Sequence, residues 1–512
     1  MTPIRSAFRS VHALPRVAGI VVLATVALAV GASAASASQV LIVSQGAPPA
    51  TYPHYVHYYT TIQAAVNASK RGAYILIEPG TYDEEVKVTK PHNNIWIRGM
   101  NRNEVILDGQ SKVVPGGRNG IEVYKANNVW IENLTARNFE RESLNGAGGN
   151  EIWWNGGADS GKNGGHGWYG RYLTAYDTGL NGGYGIFTNN ETEGEWENIY
   201  ASGFNDSGIY LGACAECKAR IDDAVMEYNA LGYSGSNSGG NLVIENSIFR
   251  HNTTGIAPNS ENPGDGPPPQ NGACEHSKPL RKIVGPHGEV NWKGALPEFS
   301  STEFAHCTII RNNLITENND LNLPANTSAA AAPWGAGVEL PGDYGDEVVD
   351  NTITDNPSDG VLAFEYPNPY QSEQEAQESG VNTIDFQNAG NKVANNTFSG
   401  NGYLEGSVVG TGAPFTGDVA FEGGVFGQNS TNNCISGNSM PDGSYPASIE
   451  GTWGCQNKTT PNAGGGFEFV EYLLGLQAES ENRPAVEPVE APPAQPTMPD
   501  PCENVPANPL CP

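Results

Sequence analysis

The chain has 512 residues, with 27 Lys and Arg against 56 Asp and Glu, a formal net charge of −29. Charge of that size argues against nucleic acid or anionic membrane as a direct partner, and it disfavours an acidic polysaccharide unless cations mediate.

Met1 to Ala37 opens with Arg5, Arg9 and Arg16, runs apolar through Val30 and ends in Ala32-Ser33-Ala34 and Ala35-Ser36-Ala37. This order reads as a secretory signal peptide cleaved after Ala34 or Ala37. Pro15 and Gly19 shorten the apolar run, against a membrane anchor. Cleavage takes three of the 27 basic residues, leaving 24 against 56 acidic ones, a net −32. The expectation is an extracellular protein without membrane insertion.

After a leader, 38–58, residues 59–71 place Ile62, Ala65 and Val66 on one helical face. A short amphipathic helix there would cap the open end of a stacked structure. Then come Tyr74-Ile75-Leu76-Ile77, Val86-Lys87-Val88, Ile95-Trp96-Ile97 and Val105-Ile106-Leu107. These read as strands, with Glu78-Pro79-Gly80-Thr81, Arg98-Gly99 and Asp108-Gly109 as turns between them.

From Gly120 a repeat takes over, clearest in Asn241 to Ile256. An Asn after a short apolar run recurs at 138, 205, 229, 252, 318, 356, 401 and 438, with Asp177 in the equivalent place. A Gly-apolar pair follows several copies, as in Gly208-Ile209, Gly255-Ile256 and Gly360-Val361. The shortest intervals are 23 to 28 residues, and longer ones carry polar or Pro/Gly-rich insertions. The apolar runs are too short for helices and suit half-buried strands. Stacked Asn can form a hydrogen-bonded ladder at a tight turn, and no copy buries its apolar face alone. The fold class expected is all-β, a right-handed parallel β-helix over 59–460 in about eleven coils, with an N-terminal capping helix.

The helix, the Pro79-Gly80-Thr81-Tyr82 turn, Arg98-Gly99, Asp108-Gly109 and the Asn repeat resemble the pectin-lyase-like superfamily of secreted β-helix proteins. Many activities share those motifs, so the resemblance implies fold far more than function.

Long insertions at 139–169, 257–303 and 365–390 are expected to wall one face. With Ile121, Ile152, Ile186 and Ile209 inward, alternation turns Glu122, Trp153, Phe187 and Tyr210 outward on consecutive coils. Tyr124 and Asn189 extend the row. Aromatic rings over a flat sheet suit the faces of sugar rings, with Asn and Glu for the hydroxyls. The bland alternative is a stripe buried under the 139–169 loop as ordinary core.

Lys162, His166, Arg171 and Asp177 lie close in sequence to that stripe and are the catalytic candidates. The resemblance implies a lyase mechanism in which a basic residue abstracts a proton beside a carboxyl neutralised by Ca²⁺ or Arg. Arg171 or Lys162 would take such roles and Asp177 would help hold the ion, although a ladder role competes for Asp177. Gly165-His166-Gly167 and Asp222-Asp223 match polygalacturonase motifs in reversed order, and both read as chance, Asp222-Asp223 as a solvated turn. Glu191, Glu193 and Glu195, and Asp343, Asp346, Glu347 and Asp350, are acidic enough for Ca²⁺, the one cofactor considered, but read first as solvated turns.

Eight cysteines in an exported chain point to disulfides, and proximity suggests Cys214–Cys217, Cys274–Cys307, Cys434–Cys455 and Cys502–Cys511. Residues 461–482 read as a C-terminal cap, and 483–512 as a disordered Pro- and Glu-rich tail. The function expected is a secreted, monomeric protein that binds an extracellular polysaccharide, with lyase-type cleavage preferred to hydrolysis if it is an enzyme. The alternative is a non-catalytic surface, matrix or adhesin-like solenoid.

Overall fold

The short apolar runs pair with their counterparts one coil away. Ile121, Ile152, Ile186 and Ile209 fall in one register, and each is fully buried. In the computed structural model the described residues are 38–157, 164–214, 216–259, 283–285, 288–290, 307–324, 327, 329, 332–365, 388–404, 415–423, 430–455, 467–481 and 485–512. Lys162 and Cys274 lie outside them, as does the signal-peptide segment 1–37.

Two large sheets, of 19 and 11 strands, make the wall. Apart from one hairpin, Ile283–Gly285 with Gly288–Val290, the strand pairs are parallel and join residues one coil apart. This is a parallel β-helix, right-handed as parallel crossovers are. The 19-strand sheet holds two ladders joined at a corner. Single strands such as Gly165–Tyr176, Glu191–Ser202 and Ala219–Glu227 run through it. In these and in Val129–Arg137 the bend falls at a left-handed residue, Asn133, Tyr172, Asn198 or Asp223, with φ between 53° and 56°. Asp223 is therefore a corner of the wall, and Asp222 beside it pairs with Arg220 at 2.7 Å rather than standing in a solvated turn.

A left-handed residue followed by an inward Asn marks two corners per coil. At the first, Tyr228, His251, Glu317 and Asp355 precede Asn229, Asn252, Asn318 and Asn356, all with zero exposure. Each carboxamide gives one N–H to the coil before and one to the next Asn. Asn252 donates to the Met226 carbonyl at 3.0 Å and to Asn318 Oδ1 at 3.0 Å. The row ends where Asn401 donates to the carboxylate of Asp418, 3.0 Å away. The second ladder runs Asn313, Asn351, Asn396, Asn438 and ends on Glu450, whose Oε1 accepts from Asn438 N and Nδ2 at 2.8 and 3.1 Å.

Two sequence assignments change here. Asn438 belongs to the second ladder, and Asn138, Asp177 and Asn205 stand one residue off the first. Register puts Phe139, Thr178 and Phe204 at that corner, because Tyr176 pairs with Arg137 and Ser202 with Glu227.

Helix α1 (Ile62–Ala68) covers the first coils with Ile62, Ala65 and Val66 buried. Thr61 Oγ1 caps Ala64 N, and Glu84 accepts from Ile62 N and Gln63 N, satisfying the orphan donors of its first turn. Strands Val40–Val43 and Val56–Tyr59 join the same wall. Helix α2 (Ile449–Trp453) plugs the last coil with Ile449 and Trp453, the indole edge-on to Phe421. Helix α3 (Phe467–Glu481) packs Phe469, Tyr472 and Leu476 on Leu362, Phe364, Phe415 and Ala420.

Disulfides join Cys214–Cys217, Cys434–Cys455 and Cys502–Cys511, and Cys307 is also disulfide-bonded. Residues 485–512 contain no helix or strand, in keeping with their composition, yet they are docked along the wall. Asn322 and Asn103 each clamp the tail backbone reciprocally, at Glu487 (2.8 and 2.9 Å) and Gln495 (2.9 and 2.8 Å). Among the described residues no helix is long and apolar enough to cross a membrane.

Candidate functional site

The outer face of the 11-strand sheet carries the row read from alternation. Lys87, Glu122, Trp153, Phe187 and Tyr210 follow one another in register. Ile152 and Trp154 anchor Trp153 from behind, since both point into the core, where Trp154, Trp168 and Trp196 cluster. The Trp153 and Phe187 rings are stacked, 5.1 Å apart with 3° between planes, and both are half-exposed. Tyr210 stands edge-on to Phe187 at 5.0 Å. Trp153 and Phe187 are thus partly open, whereas Tyr210 and Asn189 are buried.

Polar groups frame the rings. Trp153 Nε1 donates to Asn189 Oδ1 at 2.8 Å, fixing the indole. Glu122 accepts from Asn155 Nδ2 at 2.9 Å and pairs with Lys87 at 2.8 Å. Tyr124, exposed, lies between the ammonium groups of Lys87 and Lys125, 5.1 and 5.2 Å from its ring centre. Alternation missed Tyr184. It is three residues from Phe187, so simple period two puts it on the other face. Gly185 and Ile186 are both buried, a Cβ on Gly185 striking the Gly208 carbonyl at 2.5 Å and the Phe204 ring at 2.7 Å, so the partly exposed positions are Tyr184 and Phe187. There it packs on Phe187 at 4.6 Å and Tyr210 at 5.2 Å, with the Arg141 guanidinium 5.4 Å from its ring.

The catalytic candidates do not gather on this face. Arg171 is on the 19-strand sheet, bonded to the fully buried Glu132 at 2.5 Å and to Glu503 at 3.3 Å. His166 is exposed at a corner, lining a shallow depression of about 510 Å³ with Asn127, Gly164, Gly165, Thr192 and Glu193. Asp177 is buried at another corner and accepts from the N–H groups of Gly179, Asn181 and Gly182 at 3.0, 2.8 and 2.5 Å. Burial raises its pKa, and the neighbouring Glu140 is pushed up to about 7 by burial and by the Asp177 charge. Sequence proximity misleads because the strand Gly165–Tyr176 carries the chain round two faces between His166 and Asp177.

The acidic groups considered for Ca²⁺ are also dispersed. Glu195 pairs with Arg220 at 3.3 Å, Glu347 with Lys392 at 3.4 Å, and Asp346 caps Thr308 N at 2.8 Å. Among the described residues no three His, Cys, Asp or Glu side chains converge as a metal site would require.

No family model matches the chain, and no curated protein does. Solved structures match as β-helices. The mannuronan C-5 epimerase A-module of Azotobacter vinelandii is 13% identical with a TM-score of 0.40, over 75% of this chain and 92% of that one. Pectate lyase Pel9A is 13% identical with a TM-score of 0.38, over 80% and 78%. An alginate lyase from Paenibacillus sp. is 13% identical with a TM-score of 0.37, over 75% and 93%. Likeness of this degree says nothing about activity.

Proposed function

We propose that this is a secreted protein that binds a polysaccharide along the outer face of its 11-strand sheet. The stacked, half-exposed pair Trp153–Phe187 carries this reading. With Tyr184 they form a partly open ring cluster across two coils, about 5 Å at ~4.8 Å per strand, backed by the buried Tyr210. Sugar C–H groups pack against the outer edges of such a ring cluster, and the hydroxyls meet Glu122 and Tyr124 at the margin, with Asn189 behind them holding the indole. Trp153 is held in orientation by Asn189, so little side-chain freedom is lost on binding.

Cleavage by β-elimination is the finer version of the proposal, and Arg171 is a poor base for it, since Glu132 and Glu503 already hold its guanidinium. Binding without turnover is the form that the geometry favours. The test is a panel of uronate and neutral polysaccharides with the mature protein, reading retention, unsaturated-product absorbance and reducing ends together. Retention on at least one polymer, lost in Trp153→Ala, supports the proposal. No retention across the panel would leave the non-catalytic structural solenoid as the better account.

A further inference from the structure

Residues 485–512 lie along the wall as a strap, and among the described residues they pair with no strand. Side chains hold the strap at separated points. Asn322 grips it at Glu487 and Asn103 at Gln495, and Asn133 Oδ1 accepts from Met498 N and Thr497 Oγ1, both at 2.8 Å. Val489 N adds a main-chain bond to the Thr178 carbonyl at 3.2 Å. Arg102 Nη1 donates to the Pro496 carbonyl at 3.0 Å, and Arg98 Nη1 to the carbonyls of Pro501 and Glu503 at 3.0 and 2.8 Å.

The wall does not need the strap to satisfy these arginines. The fully buried Glu132 accepts from Arg98 at 2.6 Å and from Arg171 at 2.5 Å. Arg102 Nε donates to Thr174 Oγ1 at 2.8 Å, and its Nη2 donates to the Leu173 carbonyl. Each guanidinium therefore keeps a wall partner if the strap leaves, and no buried charge is stranded. The strap's far end is held differently. Cys502 and Cys511 close a loop whose Val505 and Leu510 join Val40, Tyr74 and Trp96 in one apolar cluster, with Cys511 itself buried. Asn508 and Cys511 exchange backbone bonds at 2.8 and 3.0 Å, and Tyr55 Oη donates to the Ala507 carbonyl at 2.7 Å. The disulfide thus fixes the shape that seats both apolar side chains.

We infer that residues 485–512 are a releasable strap and that the Cys502–Cys511 disulfide is its latch, so that a dithiol reductant opens the strap while the wall stays folded. A thiolate of the reductant attacks one latch sulfur and its second thiol completes the exchange. The reductant ends as a disulfide, and Cys502 and Cys511 end as two thiols, a transfer of two electrons and two protons. Cys502 is partly exposed, whereas Cys214 and Cys217 are fully buried in the core, so access favours the latch. Once opened, the loop must be ordered afresh each time Val505 and Leu510 dock, and docking weakens. Release uncovers the apolar cluster around Tyr74 and Trp96, a surface that the oxidised protein keeps hidden.

Amide hydrogen exchange of the mature protein over residues 489–498, with and without dithiothreitol, is the test. Val489, Gln495 and Met498 give their N–H groups to the wall there, outside the disulfide loop. Exchange in this segment should rise about tenfold or more on reduction. Strands Tyr74–Ile77, Ile95–Gly99 and Val129–Arg137 should keep their protection. Cys502→Ser with Cys511→Ser should reproduce the rise without reductant, which separates this disulfide from Cys434–Cys455, and Leu510→Ala should give a smaller rise with the disulfide intact. Reduction acts on protein already folded, so the measurement stands even where the serine variant does not fold. Unchanged exchange at 489–498 once alkylation shows both latch thiols free would overturn the inference. So would loss of protection in the wall strands together with the strap, or a folded serine variant that exchanges like the oxidised protein.

Discussion

The Trp153 indole lies parallel to the Phe187 ring, and Asn189, two residues beyond Phe187, accepts its N–H at 2.8 Å. One strand therefore supplies both the stacking partner and the hydrogen bond that hold Trp153 in place. Trp153→Ala should weaken retention on the bound polysaccharide by about tenfold or more, roughly 1.4 kcal/mol. Asn189→Ala should give a smaller loss of the same kind by freeing the indole. Affinity electrophoresis in polysaccharide-containing gels measures both, with circular dichroism to show that the coils persist.

Asn318 makes and receives bonds on both sides, donating to the Phe249 carbonyl at 3.2 Å and to Asn356 at 3.0 Å while accepting from Asn252. Asn318→Ala leaves several buried groups unmatched at once. The expected loss is about 3 kcal/mol or more, read as a shift in the urea midpoint.

Glu450 ends the second ladder from helix α2 and needs only to accept. Glu450→Gln keeps an oxygen there and should cost less than about 1 kcal/mol, whereas Glu450→Ala strands the two donors of Asn438 and should cost about 1–3 kcal/mol. Amide hydrogen exchange should show the last coil opening in the alanine variant alone.

Glu140 and Glu195 are both pushed up to about 7, chiefly by burial. The folded state then binds protons that the unfolded chain, with carboxyls near their ordinary value of 4.5, has released. Stability from these groups is full below about pH 4.5 and falls as pH rises through about 7. Glu140→Gln should flatten the decline without abolishing it, since Glu195 remains. Thermal unfolding at pH 5, 6, 7 and 8 gives the comparison.

Alternation along short strands made the fold and the Trp153 row legible, because period two is set by backbone geometry and survives loop insertions of any length. The ladder was legible only in part. Asn313 and Asn318, Asn351 and Asn356, and Asn396 and Asn401 are each five apart, a spacing that announces two corners per coil once it is noticed. Where bulky residues replace Asn, as at Phe139 and Phe204, the repeat slips by one and sequence offers nothing to correct it. Tyr184 was hidden because two successive inward residues, Gly185 and Ile186, break the alternation. The tail gave no signal at all, because contacts such as Arg98 with Glu503 join residues 405 apart with no periodicity. The imagined centre around Arg171 and Asp177 dispersed for a related reason: a dozen residues of extended chain are enough to pass from one wall to another.

The carboxylates of Asp418 and Glu450 give each asparagine row a direction and a last rung. Every carboxamide hands its proton onward, so a row ending in asparagine would offer free donors to whatever solenoid came next. A side chain that only accepts leaves nothing to hand on, and the row of donors stops there. Inside the row the situation is reversed. A new coil inserted between Asn318 and Asn356 would find an acceptor ahead and a donor behind. Such a row can lengthen from within during evolution while keeping the same last rung.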